Sequence, residues 1–313
     1  MSCNSRVSVR NDRAPSESIS RREILKYSLA AGATALLANG RLVSAALAAA
    51  QEQSPLEKLG WKIACQLYTF RRFSFYEAIE KIAALGIRLV EPAFFLRLDA
   101  NQPGLVTSEK LSAEKRQEMK SRMAALGISM PNFYADLRGE AEGARQVFAF
   151  AREMGVETLV SEPPPEAFAM LDELCQEFSI NLAVHNHPKG PNSRYWHPEN
   201  VLAVCKGRSS RIGACCDTGH WVRSGLDPVE CLKMMEGRII TFHLKDVAEW
   251  GKPEARDVPL GTGKANYEAV LKELHRQGFR GVMSIEYEHD SPELEKDVAA
   301  CLAFVQKVAA TLV

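Results

Sequence analysis

The sequence carries no excess of either charge. Its 39 Lys and Arg residues balance 39 Asp and Glu residues, which gives a formal net charge of +0 at pH 7. A protein that binds nucleic acid neutralises phosphate groups with clustered cations, and no such cluster occurs in this sequence. Long blocks of one charge sign, which are typical of interaction tails, are also missing. Nucleic acid is therefore not an expected partner.

Paired cysteines are missing too. None of the 8 cysteines belongs to a C-x-x-C pair, which argues against a zinc ribbon or a thioredoxin-like redox site. Cys3 lies at the extreme N-terminus, and without it the remaining number of cysteines is odd. In an exported protein, this favours buried free thiols over a disulfide framework.

A run of apolar residues long enough to span a membrane is absent, and the most apolar stretch is near the N-terminus. Arg21 and Arg22 precede an Ala- and Leu-rich stretch that ends in small residues, with cleavage expected, for example, after Ala48. The order Ser-Arg-Arg-x-Ile-Leu-Lys resembles a twin-arginine signal. We interpret residues 1–50 as a twin-arginine-type signal peptide and linker, and we expect a periplasmic or otherwise exported protein with no stable membrane insertion after cleavage. An uncleaved amphipathic anchor is the alternative.

From residue 60 onward, eight short apolar runs of strand-like composition alternate with amphipathic helical patterns. This alternation predicts a parallel sheet covered by helices. Eight such units in about 250 residues match a closed barrel. The rival, an open doubly wound sheet, usually has a glycine-rich phosphate turn after its first strand, where this chain reads LYTFRRFSF. We therefore predict a single α/β domain, a (β/α)8 TIM barrel, over residues 60–313.

Each of the last four predicted strands finishes on a residue that can bind a metal ion. Catalytic groups of such barrels lie where the strands finish. Strand side chains alternate between faces, so the residues two positions earlier share the inward face, and all of them are small; the intervening residues are apolar and are expected to face the helices. The metal-capable residues are His185, Asp217, His243 and Glu286; the small residues are Ala183, Cys215, Thr241 and Ser284; the outward residues are Val184, Cys216, Phe242 and Ile285.

Two imidazoles and two carboxylates form a mixed nitrogen and oxygen ligand set. Such a set suits Mn²⁺, Zn²⁺ or Co²⁺ better than Ca²⁺, which prefers oxygen ligands alone. We expect one divalent ion, with Mn²⁺ as the first choice. His187 shares the face of His185, so either of the two is a candidate ligand.

The segments DTGH, FHLKD, PLGTGKANYEAVLKEL and GFRGVMSIEYE resemble the xylose isomerase-like TIM-barrel superfamily, and most closely its sugar phosphate isomerase/epimerase branch. The resemblance covers residues 60–313 and is most specific over 180–290. It implies that Asp217, His243 and Glu286 hold one divalent metal ion and that His220 contacts the substrate. On the fifth strand, His185 stands where these epimerases carry Glu. The resemblance therefore implies that His185 or His187 supplies the second acid or base.

Several other residues near the strand ends are candidates for substrate contact. Glu91 and Glu162 each end a strand before a proline and are predicted to accept hydrogen bonds from sugar hydroxyls or to act as a catalytic acid. Trp221 and Trp250 are predicted to stack on a sugar ring. The alternatives are solvated carboxylates for the acids and packing of a lid for the tryptophans.

Lys245 shares the inward face of His243 two positions earlier. It is predicted to neutralise a developing enolate or a substrate anion. The alternative is a salt bridge at the rim of the barrel with Asp246 or Asp217. Together with the resemblance, the predicted catalytic residues are Glu286, His187, His220 and Lys245.

The predicted chemistry is proton abstraction next to the carbonyl of a sugar or keto-sugar, through a metal-stabilised enediolate. Return of the proton at the neighbouring carbon is isomerisation, and return on the opposite face is epimerisation. Expulsion of a β-oxygen would instead make the protein a lyase or hydratase on 3-keto-glycosides. A non-catalytic periplasmic sugar-binding barrel is a further alternative. The expected partner is a small carbohydrate, and a homo-oligomer is one option that the sequence leaves open.

Overall fold

Eight parallel strands form a nearly closed barrel in a computed structural model that describes residues 53–138 and 140–313. Hydrogen-bonded neighbours follow one another in chain order, and the last strand pairs with the first. The predicted TIM barrel is therefore confirmed. Its strands are β1 (Trp61–Gln66), β2 (Leu89–Glu91), β3 (Asn132–Tyr134), β4 (Thr158–Ser161), β5 (Asn181–His185), β6 (Ile212–Asp217), β7 (Ile239–Leu244) and β8 (Gly281–Ile285).

The hydrogen-bond ladder of the barrel is interrupted between β2 and β3. The two strands are joined by isolated bridges, Leu89 with Ser129 and Ala93 with Tyr134, rather than by a continuous ladder. The amide of Phe94 donates to the carbonyl of Tyr134 at 2.9 Å and closes this seam near the strand ends.

The helices cover the outside of the barrel. Ser74 caps one of them by accepting from the amide of Glu77, whose carboxylate in turn accepts from the backbone and hydroxyl of Ser74. Gly127, at φ 63°, follows the end of another helix in the left-handed conformation that glycine adopts readily. The helices are α1 (Pro55–Leu59), α2 (Phe75–Ala84), α3 (Ala113–Ala125), α4 (Ala141–Met154), α5 (Phe168–Phe178), α6 (Pro198–Cys205), α7 (Thr218–Arg223), α8 (Pro228–Met234), α9 (Tyr267–Arg276) and α10 (Leu294–Ala309).

The two faces of the last four strands have the composition that their alternation predicts. The outward residues pack in the large core between sheet and helices, namely Val184, Cys216, Phe242 and Ile285. Inside the barrel, Ala183 and Cys215 form a separate small cluster with Val160. Thr241 and Ser284 are also buried, and their hydroxyls bond to polar groups within the barrel. The predicted inward and outward positions are confirmed.

Two antiparallel hairpins extend the carboxyl end of the barrel. Arg97–Asp99 pairs with Gln102–Val106 after β2, and Asp246–Val247 pairs with Asp257–Val258 after β7. The carboxylate of Asp246 accepts four backbone N–H groups, from Val247, Gly261, Gly263 and Ala265. It thereby holds the GTGK segment as a turn.

The cysteines are buried free thiols, as the sequence predicts. In the described part of the chain, seven cysteines are free, and all of them are buried. No helix among the described residues is long and apolar enough to cross a membrane. The predicted signal over residues 1–50 lies outside the described residues.

Candidate metal centre and catalytic site

The ends of β5, β6, β7 and β8 bring four side chains together at the carboxyl end of the barrel. One ligand atom from each of them lies within 4.8 Å of the others. His243 Nδ1 is 3.0 Å from Glu286 Oε2, and His185 Nε2 is 3.6 Å from Asp217 Oδ2. All four residues are buried.

The same four atoms are buried polar atoms without a hydrogen bond in the described structure. They are His185 Nε2, Asp217 Oδ2, His243 Nδ1 and Glu286 Oε2. Buried polar atoms in folded proteins are almost always satisfied. Here the two carboxylate oxygens have the Lys245 ammonium at 3.0 Å, but none of the four atoms has a well-directed hydrogen bond, so their convergence on one point requires an explanation. Two nitrogen and two oxygen ligands at one point suit a divalent transition metal ion. The residues present therefore fit the predicted metal ion.

Hydrogen bonds on the side away from the cluster fix the orientation of these side chains. His243 Nε2 lies 2.7 Å from Glu91 Oε1, and in the tautomer that donates there, Nδ1 keeps a free lone pair for the cluster. Asp217 Oδ1 accepts from the amide of His220 at 2.9 Å at the start of α7, which leaves Oδ2 for the cluster. Such contacts behind the ligands are typical of protein metal sites.

Glu91 lies deeper than the sequence indicated. Its side chain is fully buried, and besides His243 it accepts from Asn132 Nδ2 at 3.1 Å and Ser284 Oγ at 2.7 Å. The structure therefore places Glu91 inside the barrel, behind the imidazole of His243.

Lys245 is a fully buried cation beside the cluster. Its Nζ lies 3.0 Å from both Asp217 Oδ2 and Glu286 Oε2, and 3.3 Å from Glu288 Oε1. Burial alone lowers the pKa of Lys245, but the three carboxylates outweigh it and raise this pKa well above its ordinary value. Conversely, burial favours the neutral form of Asp217 and Glu286, and the Lys245 ammonium outweighs it and lowers the pKa of both carboxyls.

His220 lies between two cations. Its Nδ1 is 3.1 Å from Arg223 Nη1, and its Nε2 is 3.2 Å from Lys245 Nζ. Burial, together with the charge of Lys245, lowers the pKa of His220 well below its ordinary value. His220 is therefore a neutral imidazole at the edge of the cluster.

Glu162 and His187 form a pair on the open side of the site. His187 Nδ1 lies 2.5 Å from Glu162 Oε1, which also accepts from Tyr134 Oη at 2.8 Å. Burial alone raises the pKa of Glu162, but hydrogen bonds from His185 and His187 outweigh it and lower this pKa strongly. The side chain of His187 is 43% exposed, and it lines a cavity of about 410 Å³ with Glu162.

The two tryptophans lie away from this cavity. Trp221 is 2% exposed and packs in the core from within α7, and Trp250 is 45% exposed on the surface. In the described part of the chain, neither lines the cavity beside His187.

Three charged residues of the site were missed in the sequence. Arg223 donates to Asp257 Oδ1 at 2.6 Å, to Glu288 Oε2 at 2.7 Å and to the Ala255 carbonyl at 3.0 Å. Glu288 lies two residues after Glu286, so its shared strand face was a usable signal. Arg223 and Asp257 gave no comparable signal, because they lie in a helix and a hairpin beyond the strand ends.

Comparison with known proteins identifies the family. The family model described as xylose isomerase-like TIM barrel matches residues 79–308. The rhizopine catabolism protein MocC of Rhizobium meliloti is 30% identical over 134 residues, which are 38% of this chain and 40% of that protein. An inosose dehydratase of Clostridium botulinum is 25% identical over 134 residues, 38% of this chain and 44% of that protein. The chain thus spans less than half the length of these curated relatives.

Solved structures share the fold over most of the chain. A protein of Parabacteroides distasonis is 32% identical with a TM-score of 0.64, covering 79% of this chain and 99% of its own. An L-ribulose 3-epimerase is 16% identical with a TM-score of 0.62, covering 80% and 95%. The IOLI protein with a bound zinc atom is 16% identical with a TM-score of 0.63, covering 80% and 99%. The match of the family model over most of the chain shows that the chain belongs to the xylose isomerase-like TIM-barrel family.

Proposed function

We propose that the barrel binds one divalent metal ion through His185, Asp217, His243 and Glu286. The observation that carries this proposal is the group of four buried ligand atoms, none with a well-directed hydrogen bond, within 4.8 Å of one another. The zinc atom of the similarly folded IOLI protein supports a divalent metal. Mn²⁺ remains the first expectation from the sequence, with Zn²⁺ and Co²⁺ as alternatives.

The proposed reaction is removal of a proton next to the carbonyl of a sugar or keto-sugar. When bound, the metal ion would polarise the carbonyl oxygen and make the adjacent carbon more acidic. His187 is the proposed base, because Glu162 orients its Nδ1 and leaves the other ring nitrogen for the substrate. Lys245 lies beside Glu286, and the neutral His220 lies beside Lys245; the two are the proposed groups that bind the substrate oxygens.

Two reactions can follow removal of the proton. Return to the sugar gives an isomerase or epimerase, in line with the L-ribulose 3-epimerase. Loss of a β-oxygen gives a dehydratase or lyase, which the inosose dehydratase favours. The elimination route also needs only one base, and the Glu162–His187 pair is the one acid–base pair that faces the cavity among the described residues.

Incubation of metal-loaded protein with candidate keto-sugars in D₂O separates these reactions. Deuterium in the recovered sugar or its isomer indicates isomerisation or epimerisation, whereas loss of water or of an aglycone indicates elimination. His187→Ala should abolish either reaction and retain the metal, and Trp250→Ala, outside the cavity, is the matched control. A metal-loaded protein that binds a sugar yet never exchanges its protons would instead favour a sugar-binding barrel.

We also propose that residues 1–50 direct export through a twin-arginine pathway. The support is the Ser-Arg-Arg-x-Ile-Leu-Lys order alone. Substitution of Arg21 and Arg22 by Lys together should leave the protein in the cytoplasm, as measured by fractionation of the producing cells. An unchanged distribution would contradict the proposal.

A further inference from the structure

The cavity beside His187 lies next to the metal cluster, because Glu162 and His187 line it and both contact His185. A second cavity of about 490 Å³ adjoins it, and the two share Phe94, Phe95 and Asp136 as lining residues. Each volume alone falls within the roughly 300–1,000 Å³ that is usual for small-molecule sites. The two cavities together therefore offer more space than a single sugar ring beside His187 would fill.

Phe95 forms an exposed aromatic surface where the two cavities meet. Phe95 is 45% exposed, although most large apolar residues in the described part of the chain are buried. Phe94 contacts its ring at 5.1 Å with an interplanar angle of 85°, and Tyr68 at 6.0 Å with 81°. These two edge contacts fix the ring of Phe95 in place. A rigid, accessible ring of this kind suits stacking on an apolar face of a ligand.

The outer cavity also has open space on its helical side. Gly143, in the first turn of α4, lines this cavity, and a Cβ placed on it would meet no atom within 4 Å. Glycine within a helix costs about 0.5–1 kcal/mol relative to alanine. Gly143 therefore leaves open a space that a larger side chain at this helix position would occupy.

The charges of the outer cavity exclude a strongly anionic ligand. Lys110 is accompanied by Glu109 and Asp136, so the lining has no excess of positive charge. Asp136 is itself paired with Arg138 through two contacts of 2.9 and 3.0 Å. An uncharged group with hydroxyls fits this lining better than a phosphate does.

We propose that the outer cavity holds a second, uncharged ring of the substrate, so that the substrate is a glycoside or oligosaccharide. This inference rests on the proposed function, since it assumes that a sugar ring reacts beside His187. The reacting ring lies at the metal cluster, and the second ring stacks on Phe95 and extends toward Gly143. A sugar phosphate of one ring would leave this second cavity unused.

The test compares Gly143→Trp, which fills the outer cavity, with Gly143→Ala, which keeps it open at the same helix position. The probes are glucose, galactose and mannose, each matched by a disaccharide and a 4-nitrophenyl glycoside that carry it, with binding to metal-loaded protein measured by calorimetry. At least one two-ring compound should bind about tenfold more tightly than its monosaccharide. Gly143→Trp should remove this advantage, and Gly143→Ala should keep it.

Two results would overturn the outer site: no two-ring compound binds better than its monosaccharide, or the Trp and Ala variants behave alike. Phe95→Ala gives a second check, since it should weaken the two-ring compounds about tenfold. Proton exchange in D₂O with 3-keto derivatives of the same sugars keeps the two proposals apart. Exchange without any two-ring preference would leave the chemistry standing and remove the outer site. Preferential two-ring binding without any exchange would do the reverse.

Discussion

The two oxygen atoms of Asp217 have separate contacts. Oδ1 caps α7 through the amide of His220, whereas Oδ2 faces the metal cluster. Asp217→Asn keeps an oxygen for the cap but removes the charge, and Asp217→Ala removes both. We expect each variant to lose at least about 100-fold in metal affinity, and the Ala variant alone to lose the cap, worth about 1 kcal/mol. Elemental analysis and urea unfolding measure the two effects; full metal content in Asp217→Ala would refute the ligand assignment.

The position of Glu91 allows a choice between two roles. A carboxylate that bound sugar hydroxyls, as the sequence predicts, would affect the KM and leave metal affinity unchanged. A carboxylate that only orients His243 would affect metal affinity first, by about 10–100-fold. We expect Glu91→Gln to weaken metal binding in a chelator competition, and metal-saturated Glu91→Gln to recover most of its kcat/KM. Unchanged metal affinity would instead support a role of Glu91 in substrate binding.

At the scale of elements, Arg223 joins three segments that follow different strands. It lies in α7 after β6, bonds Asp257 in the hairpin after β7, and bonds Glu288 after β8. Arg223 is 8% exposed, so its removal leaves the buried Asp257 without its ion-pair partner, whereas Glu288 keeps Lys245 at 3.3 Å. Breaking a buried pair in this way typically costs about 3–5 kcal/mol.

Arg223→Met should therefore lower the free energy of unfolding by about 3–5 kcal/mol in a urea titration. Arg223→Lys should fall in between, because one ammonium group cannot span both carboxylates as the guanidinium does. Arg223→Met combined with Asp257→Asn removes both charges and should recover part of the loss. A loss below about 1 kcal/mol in the single variant would show that this connection carries little energy.

At the scale of the whole molecule, the sequence predicts which side chains face inward but not how deep they lie. The period of two along each strand was sufficient to select His185, Asp217, His243 and Glu286 as inward-facing residues. Depth depends on strand length and tilt, which no local pattern encodes. Glu91 ends the three-residue strand β2 and is fully buried rather than open to a ligand.

Residues beyond the strand ends were harder to place for another reason. Trp221 follows the DTGH segment and is predicted from the sequence to stack on a sugar ring. Asp217 instead caps a helix that begins at Thr218, so Trp221 turns into the core. A short helix directly after a strand has too few residues to show a helical pattern in the sequence.

The charges of the whole site determine how stable the protein is without its metal ion. Lys245 lies 3.0 Å from both Asp217 and Glu286, so the two carboxylates keep one buried cation when the metal is removed by a chelator. We expect the wild-type chain to stay folded after chelation and to lose only the binding contribution, about 2.7 kcal/mol at a metal concentration of 100 Kd. Lys245→Met should lose far more on chelation, because its buried carboxylates then have only the imidazoles of His185 and His243 to balance their charge.

Thermal unfolding of both proteins, with metal and with chelator, measures this difference. The Tm of Lys245→Met should depend on metal much more steeply than the Tm of the wild type, and re-added metal should restore it. Lys272→Met, at an exposed ion pair with Glu268, is the matched control, because it removes the same charge from the surface. An equal metal dependence in all three proteins would mean that Lys245 does not compensate the carboxylates, and that its place beside Glu286 serves the substrate alone.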